Sequence, residues 1–277
     1  EGRLEQTLST DQDNGIIFAL APGESADDVR IELLRFAEQI NAALDACGLP
    51  LCKGDIMARN PKWCLSLDEW KATFGHWIDA GDPDSLLNAS IFFDFRPLYG
   101  KAALADDLKQ WLLARTSTTP RFLHQMAANA LRNRPPLGLV RDFVVESGGE
   151  NADTLDLKLN GTTPFVDAAR VFALATGVSA TNTAQRLRGA GAKLGIAQAE
   201  IEAWLARLTD SLQVLPMDGA TFRAWARLMH RKSDTLYEDA MIAATAQLHR
   251  LTVVTRNVAD FGALGVPVLN PFDALRR

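Results

Sequence analysis

Thr10-Asp11-Gln12-Asp13-Asn14, running into Gly15-Ile16-Ile17-Phe18-Ala19-Leu20, decides how the N-terminal part of this chain is read. The apolar run carries the β-branched and aromatic residues that suit a short buried strand. Side chains two apart on an extended segment leave on the same side, so Asp11 and Asp13 share a face. Carboxylates so close repel unless a positive charge lies between them. A hard divalent cation is the natural occupant: Mg²⁺ takes one or two protein carboxylates and fills its shell with phosphate oxygens and water. For a bare D-x-D the plainer account is a solvated pair of acids, which surfaces commonly carry.

The residues in front change that balance. Glu1-Gly2-Arg3-Leu4-Glu5-Gln6-Thr7-Leu8-Ser9-Thr10-Asp11-Gln12-Asp13-Asn14 resembles the signature of a nucleotidyltransferase family found in bacterial signalling proteins beside CBS and cyclic-nucleotide-binding domains. That family is similar to the uridylyltransferases of nitrogen regulation and groups with the DNA-polymerase-β-like nucleotidyltransferases. The resemblance implies that Asp11 and Asp13 bind the catalytic metal, Mg²⁺ with Mn²⁺ as the alternative, on a nucleoside triphosphate. It also implies an upstream Gly-Ser pair at a helix N-terminus, holding the triphosphate through backbone N–H groups. The sequence opens at Glu1, inside the signature and without an initiator Met. Chain before Glu1 is therefore expected, and without it an incomplete site.

At 277 residues the chain suits two domains or one large one. An apolar fraction of 47% and a charged fraction of 23% are those of an ordinary globular protein. A net charge of -5 leaves no overall footprint for nucleic acid or an anionic membrane. No apolar run is long enough to span a bilayer, and no signal peptide opens the chain. Cys47, Cys52 and Cys64 cannot all pair within the chain and match no common zinc spacing. Reduced thiols in a cytoplasmic protein are the expectation.

Ser25-Ala26-Asp27-Asp28 starts a helix with Val29, Leu33, Ala37, Ile40 and Leu44 on one face and a stop near Gly48. The stretch Cys52 to Trp63 is punctuated by Gly54 and Pro61 and reads as a loop anchored by Met57 and Trp63. It also resembles the family's C-x-G-x-M-A-x-N-P-x-W phrase, which places Lys53 and Arg59 as candidates to face triphosphate. Ser66-Leu67-Asp68-Glu69 is a capping box for a helix bearing Trp70, Phe74 and Trp77.

Ser90-Ile91-Phe92-Phe93-Asp94-Phe95-Arg96-Pro97-Leu98-Tyr99-Gly100 is the second informative stretch. Strand alternation puts Ile91, Phe93 and Phe95 on one face and Phe92, Asp94 and Arg96 on the other. An aspartate in so apolar a run needs a cation, since a buried unpaired charge costs several kcal/mol, roughly. Arg96 is one candidate and the metal at Asp11 and Asp13 is the other. The resemblance continues through this F-D-x-R-x-x-x-G pattern and implies that Asp94 is a third catalytic carboxylate and metal ligand, with Arg96 near the nucleotide.

Beyond Gly100 the pattern is helical: Leu104, Leu108, Trp111 and Leu112, then a helix from about Arg121 to Asn133 before Pro135-Pro136. Arg132 to Arg188 resembles the family's helical half, in Arg134-Pro135-Pro136-Leu137-Gly138, the run Asp156 to Gly161, and Thr181-Asn182-Thr183 ahead of Arg186-Leu187. Lys158 and Arg170 are open to either a nucleotide or a salt-bridge role. Near residue 198 the resemblance shifts to the C-terminal part of a toxin-type PIN-domain ribonuclease. Its carriers are Glu200 to Leu205, Val214 to Asp218, Glu238 to Ala246, Leu251 to Phe261 and Val266 to Phe272. Physically this is helix, strand, short helix, strand, a parallel βα pattern. Asp239 in a first helical turn is favoured by the dipole alone. The PIN resemblance instead makes Asp239, Asn257 and Asp260 acids and helper of a Mg²⁺ nuclease site that lacks its other acids.

The expected fold class is α/β plus all-α: a polymerase-β-like domain over 1–115, a helical domain over 116–197 and a partial PIN-like α/β tail over 198–277. The join at 198 fits either an evolved fusion or a rearranged reading frame. The expected activity is Mg²⁺-dependent nucleotidyl transfer from a nucleoside triphosphate to a protein or small-molecule hydroxyl. The alternatives are an RNase acting through the tail, with RNA or an antitoxin as partner, and a non-catalytic regulatory module. No membrane partner is expected.

Overall fold

The computed structural model describes residues 2–5, 11–132, 161–210, 215, 217–230 and 232–270. The Pro135-Pro136 helix stop, the Lys158 segment and Pro271-Phe272 lie outside them. The chain divides into two compact units, one reaching Leu205 and one starting at Ala206. The N-terminal and helical regions both fall within the first unit.

In the first unit, β1 (Ile16–Phe18) pairs in parallel with β2 (Cys64–Ser66), Ile17 opposite Leu65. Between them runs α1 (Ala26–Ala46), which carries Asp27 and Asp28 in its first turn. Its inner line is Leu33, Ala37, Asn41 and Leu44, spaced by four, four and three. The expected Ile40 is 42% exposed, and the polar Asn41 is buried in its place. Gly48 follows at φ 90, a left-handed turn that favours glycine and ends the helix.

The Ser66 capping box forms as expected. Ser66 Oγ accepts from Glu69 N at 3.3 Å, and Glu69 Oε2 accepts from Ser66 N at 2.7 Å. It launches α2 (Leu67–Ala80), whose Trp70, Phe74 and Trp77 enter the core. The stretch expected as a strand through Ile91 to Phe95 is instead the last two residues of a helix, α3 (Pro83–Phe92), a turn at Phe93 and Asp94, and irregular chain at Phe95. Asp82 accepts from Ser85 N at 2.9 Å, and Pro83 occupies the first turn, where a missing N–H costs nothing. Leu86, Ala89 and Phe92 then bury at helical spacing. Local start signals and the helical inner face overrode the strand preference of Ile91, Phe92 and Phe93.

These elements enclose an aromatic core. Trp63 and Phe92 ring centroids lie 4.4 Å apart, and those of Phe74 and Phe93 4.9 Å. Buried indoles keep partners for their polar tips: Trp63 Nε1 donates to Asp55 O and Trp70 Nε1 to Ile16 O. Helices α4 (Ala102–Ser117), α5 (Pro120–Ala130), α6 (Thr163–Thr176), α7 (Thr183–Lys193) and α8 (Gln198–Asp210) follow.

In the second unit, α9 (Gly219–Met229) starts at Asp218, which accepts from Ala220 N and Thr221 N. It packs on α10 (Tyr237–His249). Then come β3 (Val253–Val254), α11 (Val258–Ala263) and β4 (Val268–Leu269), with β3 and β4 parallel. Ala240, Ala243, Ala246, Val253, Phe261, Leu264 and Val266 form its core. The expected βα pattern is present, but one two-residue strand pair among the described residues is too little sheet to establish a PIN domain. Among the described residues the fold is mostly helical, with two short parallel strand pairs.

Candidate active site

Residues 11–14 alternate as an extended segment should: Asp11 and Asp13 are exposed, Gln12 is buried and Asn14 half-buried. Backbone bonds seat the segment, Gln12 N donating to Pro50 O and Asn14 N to Ile56 O, both at 3.0 Å. The inward side chains are satisfied by neutral groups. Gln12 Nε2 donates to the carbonyls of Asn41 (2.9 Å) and Leu49 (2.7 Å), and its Oε1 accepts from Asn41 Nδ2 (2.8 Å). Asn14 Oδ1 accepts from Ala58 N at 2.8 Å and from Asn41 Nδ2 at 3.1 Å. With 12 and 14 fixed inward, 11 and 13 face out.

One carboxylate oxygen each of Asp11 and Asp13 and the Cys52 sulfur lie within 4.8 Å of one another. Burial pushes the Cys52 thiol up; backbone N–H groups of Ile56 and Gly54 oppose this, and Asp13 adds to it. Cys52 opens the phrase that runs to Trp63, and its spacing to the other cysteines gives no metal signal. Two hard carboxylates fit Mg²⁺ or Mn²⁺, while a thiol is a softer donor. Lys53 is exposed on the same loop. Arg59 lies farther along it, with Glu38 at 3.6 Å and Asp55 at 3.5 Å.

Asp94 is not a member of that group. It is 5% exposed just past α3, and three arginines reach it among the described residues. Arg170 of α6 grips it with two bonds, Nη2 to Oδ2 at 2.8 Å and Nε to Oδ1 at 3.1 Å. Arg186 of α7 donates to Oδ1 at 2.5 Å, and Arg3 to Oδ2 at 3.3 Å. Burial alone would raise the Asp94 pKa. Attraction to Arg170 and its hydrogen bonds, then those of Arg186, outweigh that and hold the carboxyl well below its usual range. The expected partner Arg96 is exposed, two residues on. Of the two roles left open for Arg170, the structure shows the salt bridge.

Segment 2–5 closes this region. A Cβ on Gly2 would fall 1.4 Å from the Asp94 carbonyl oxygen, so only glycine fits. Glu5 accepts from Arg3 Nε, Asn182 Nδ2, Thr183 N and Thr183 Oγ1. Thr181 Oγ1 donates to Gly2 O at 2.8 Å. The Thr181-Asn182-Thr183 phrase is therefore where α7 starts and where the N-terminal signature docks. Beside it, Lys109 Nζ donates to Phe93 O at 2.8 Å and lies 4.0 Å from the Phe95 ring centre. Burial drives Lys109 down to about 8 against the pull of Asp94, with Arg186 adding to the fall. No sequence signal marks Lys109.

In the second unit Asn257, the N-cap of α11, spans two acids: its Nδ2 donates to Asp239 Oδ2 at 3.1 Å and Asp260 Oδ2 at 2.9 Å. Burial, then the charges of Asp260 and Glu238, push the Asp239 carboxyl up.

Two family models match the chain. Residues 1–84 match "Putative nucleotidyltransferase DUF294", and residues 120–214 match "Putative nucleotidyltransferase substrate binding domain". These two segments are thus similar to the two domains of a nucleotidyltransferase family. The first contains Asp11, Asp13, Cys52, Lys53 and Arg59, and the second contains Arg170 and Arg186. The substrate binding match runs past the expected change of family at residue 198, and neither match extends over 215–277, so the PIN resemblance of the tail gains no support. No curated protein and no solved structure matches the chain. Among the described residues no helix is long and apolar enough to cross a membrane.

Proposed function

We propose that the chain is a divalent-metal-dependent nucleotidyltransferase that moves a nucleoside monophosphate from a nucleoside triphosphate to a hydroxyl of a protein or small molecule, in signalling. The observation that carries this reading is the outward Asp11–Asp13 pair, fixed from behind by neutral amides within the nucleotidyltransferase match. When bound there, Mg²⁺ or Mn²⁺ would neutralise charge on the α-phosphate as pyrophosphate leaves. Asp11 and Asp13 would hold that ion, and Cys52 lies within reach of it. Lys53 and Arg59, on the facing loop, supply cations for the phosphates, and Arg96 is a more distant candidate. Asp94 takes part by fixing α6 and α7 to the end of α3.

The test is transfer of label from each nucleoside triphosphate, labelled at the α-phosphate, with Mg²⁺ and a bacterial lysate as acceptor source. Transfer by the wild type that is absent from Asp13→Asn supports the reading; equal transfer by both sinks it.

A second reading, metal-dependent RNA cleavage by the tail, is favoured by one observation: Asn257 gathers Asp239 and Asp260. RNA cleavage lost in Asp239→Asn would support it, and cleavage that persists would refute it.

A further inference from the structure

We propose that Asn41 is a positioning residue that sets the metal-binding carboxylates and the facing loop in register, an inference that rests on reading Asp11 and Asp13 as metal ligands. Asn41 lies in α1, one of the few polar side chains with almost no exposure, at 1%. A leucine there would match the inner line of Leu33, Ala37 and Leu44. Burying an amide instead costs free energy unless its donors and acceptor are met. All are met, and every partner belongs to the two segments that form the candidate site.

Nδ2 donates to Gln12 Oε1 and Asn14 Oδ1, Oδ1 accepts from Arg59 N at 3.2 Å, and the Asn41 carbonyl accepts from Gln12 Nε2. One side chain thereby bridges the residues flanking Asp13 and the backbone of Arg59. Asn14, gripped from the other side by Ala58 N, closes the ring. The chemistry of the hub also matters. A cation at this place would compete with the metal for Asp11 and Asp13, and an anion would add to their repulsion. A neutral amide fixes geometry without altering the charge that the metal meets. Groups that orient metal ligands in this way typically change metal affinity about 10–100-fold when removed.

The test compares Mn²⁺ affinity, read by electron paramagnetic resonance, with amide exchange at Ala58 and Arg59 in the whole chain. Asn41→Leu removes the hub. Asn41→Asp keeps the shape and the acceptor for Arg59 N but cannot donate to Gln12 and Asn14 when ionised. Ala37→Gly, one turn away, loosens α1 without touching the network and controls for a purely structural effect. The expected result is Mn²⁺ binding weakened about tenfold in both Asn41 variants and unchanged in Ala37→Gly. Exchange at Arg59 should quicken in Asn41→Leu more than in Asn41→Asp. Should Asn41→Leu fail to fold, the neutral Asn41→Ala decides, because Asn41→Asp also changes the charge near the metal. Wild-type affinity in the Asn41 variants, or equal weakening in Ala37→Gly, overturns the inference and leaves the metal reading intact. No Mn²⁺ binding by the wild type overturns the metal reading and this inference with it.

Discussion

Asp13 and Asp94 lie in the same compact unit, Asp13 positioned through the long-range hydrogen bonds of its neighbours Gln12 and Asn14 and Asp94 held by its own, and they are kept in opposite states. The Asp11–Asp13 pair faces solvent, its backbone set by the amides of Gln12, Asn14 and Asn41. Asp94 is buried, and its oxygens are taken by Arg170, Arg186 and Arg3. Neutral groups behind a carboxylate leave its charge for a ligand, whereas arginines around one spend that charge on structure. Where the partners are neutral and behind, a site is expected; where they are cationic and in front, a clasp.

The sharpest way to break this contrast is to neutralise each aspartate in turn. Asp13→Asn should reduce nucleotidyl transfer to background while changing stability by no more than about 0.5 kcal/mol, as for other exposed positions. Label transfer and urea denaturation check both halves. Asp94→Asn should do the reverse first, costing about 3–5 kcal/mol because it leaves buried arginines uncompensated. A stability within 1 kcal/mol or so of wild type would remove the clasp. The pH dependence follows with its sign. The folded-state pKa of Asp94 is depressed, so its contribution is complete above the unfolded value, about 3.9, and is lost as pH falls through the lower folded value. Wild type should lose stability below about pH 4 more steeply than Asp94→Asn, in acid titrations followed by circular dichroism.

Smaller effects sharpen the picture. Lys109 titrates at about 8 in the folded chain, below the ordinary lysine value. Between those values the unfolded state holds the extra proton, so stability should rise with pH there. Cys64, pushed up to about 11 by burial, acts in the opposite sense over part of the range. The difference between wild type and Lys109→Met isolates the lysine, and a flat difference curve would contradict its burial. Gly2→Ala should move segment 2–5 off the Asp94 carbonyl and speed amide exchange at Thr183, which donates to Glu5. Smallest, Ser66→Ala should cost about 1 kcal/mol by removing the α2 cap without affecting either aspartate.

What the sequence made legible was local. The outward pairing of Asp11 and Asp13 follows from a two-residue period, the Ser66 box from its spacing, and α1 from its helical stripe. The run Ile91 to Phe95 misled because aromatic and β-branched residues suit strands and the decisive start, Asp82-Pro83, lies well upstream. Long-range partners were out of reach. Asp94 meets Arg170 and Arg186 across 76 and 92 positions, and Gln12 meets Asn41 across 29. A single sequence contains no record of such pairings, so Lys109 and Asn41 read as ordinary helix residues and Arg186 as part of a family phrase without its partner. In the tail, short-range signals reproduced a helix–strand pattern, which is compatible with more than one fold.

The arginine clasp also sets a timetable for synthesis. Asp94 leaves the ribosome long before Arg170 and Arg186, so until α7 has emerged it is a carboxylate on an aromatic-rich nascent chain with no arginine from α6 or α7 to meet it. Closure of the N-terminal unit must therefore wait until translation has passed residue 186, and a ribosome stalled before that point would display the Trp63–Phe93 aromatic cluster without its final fastening.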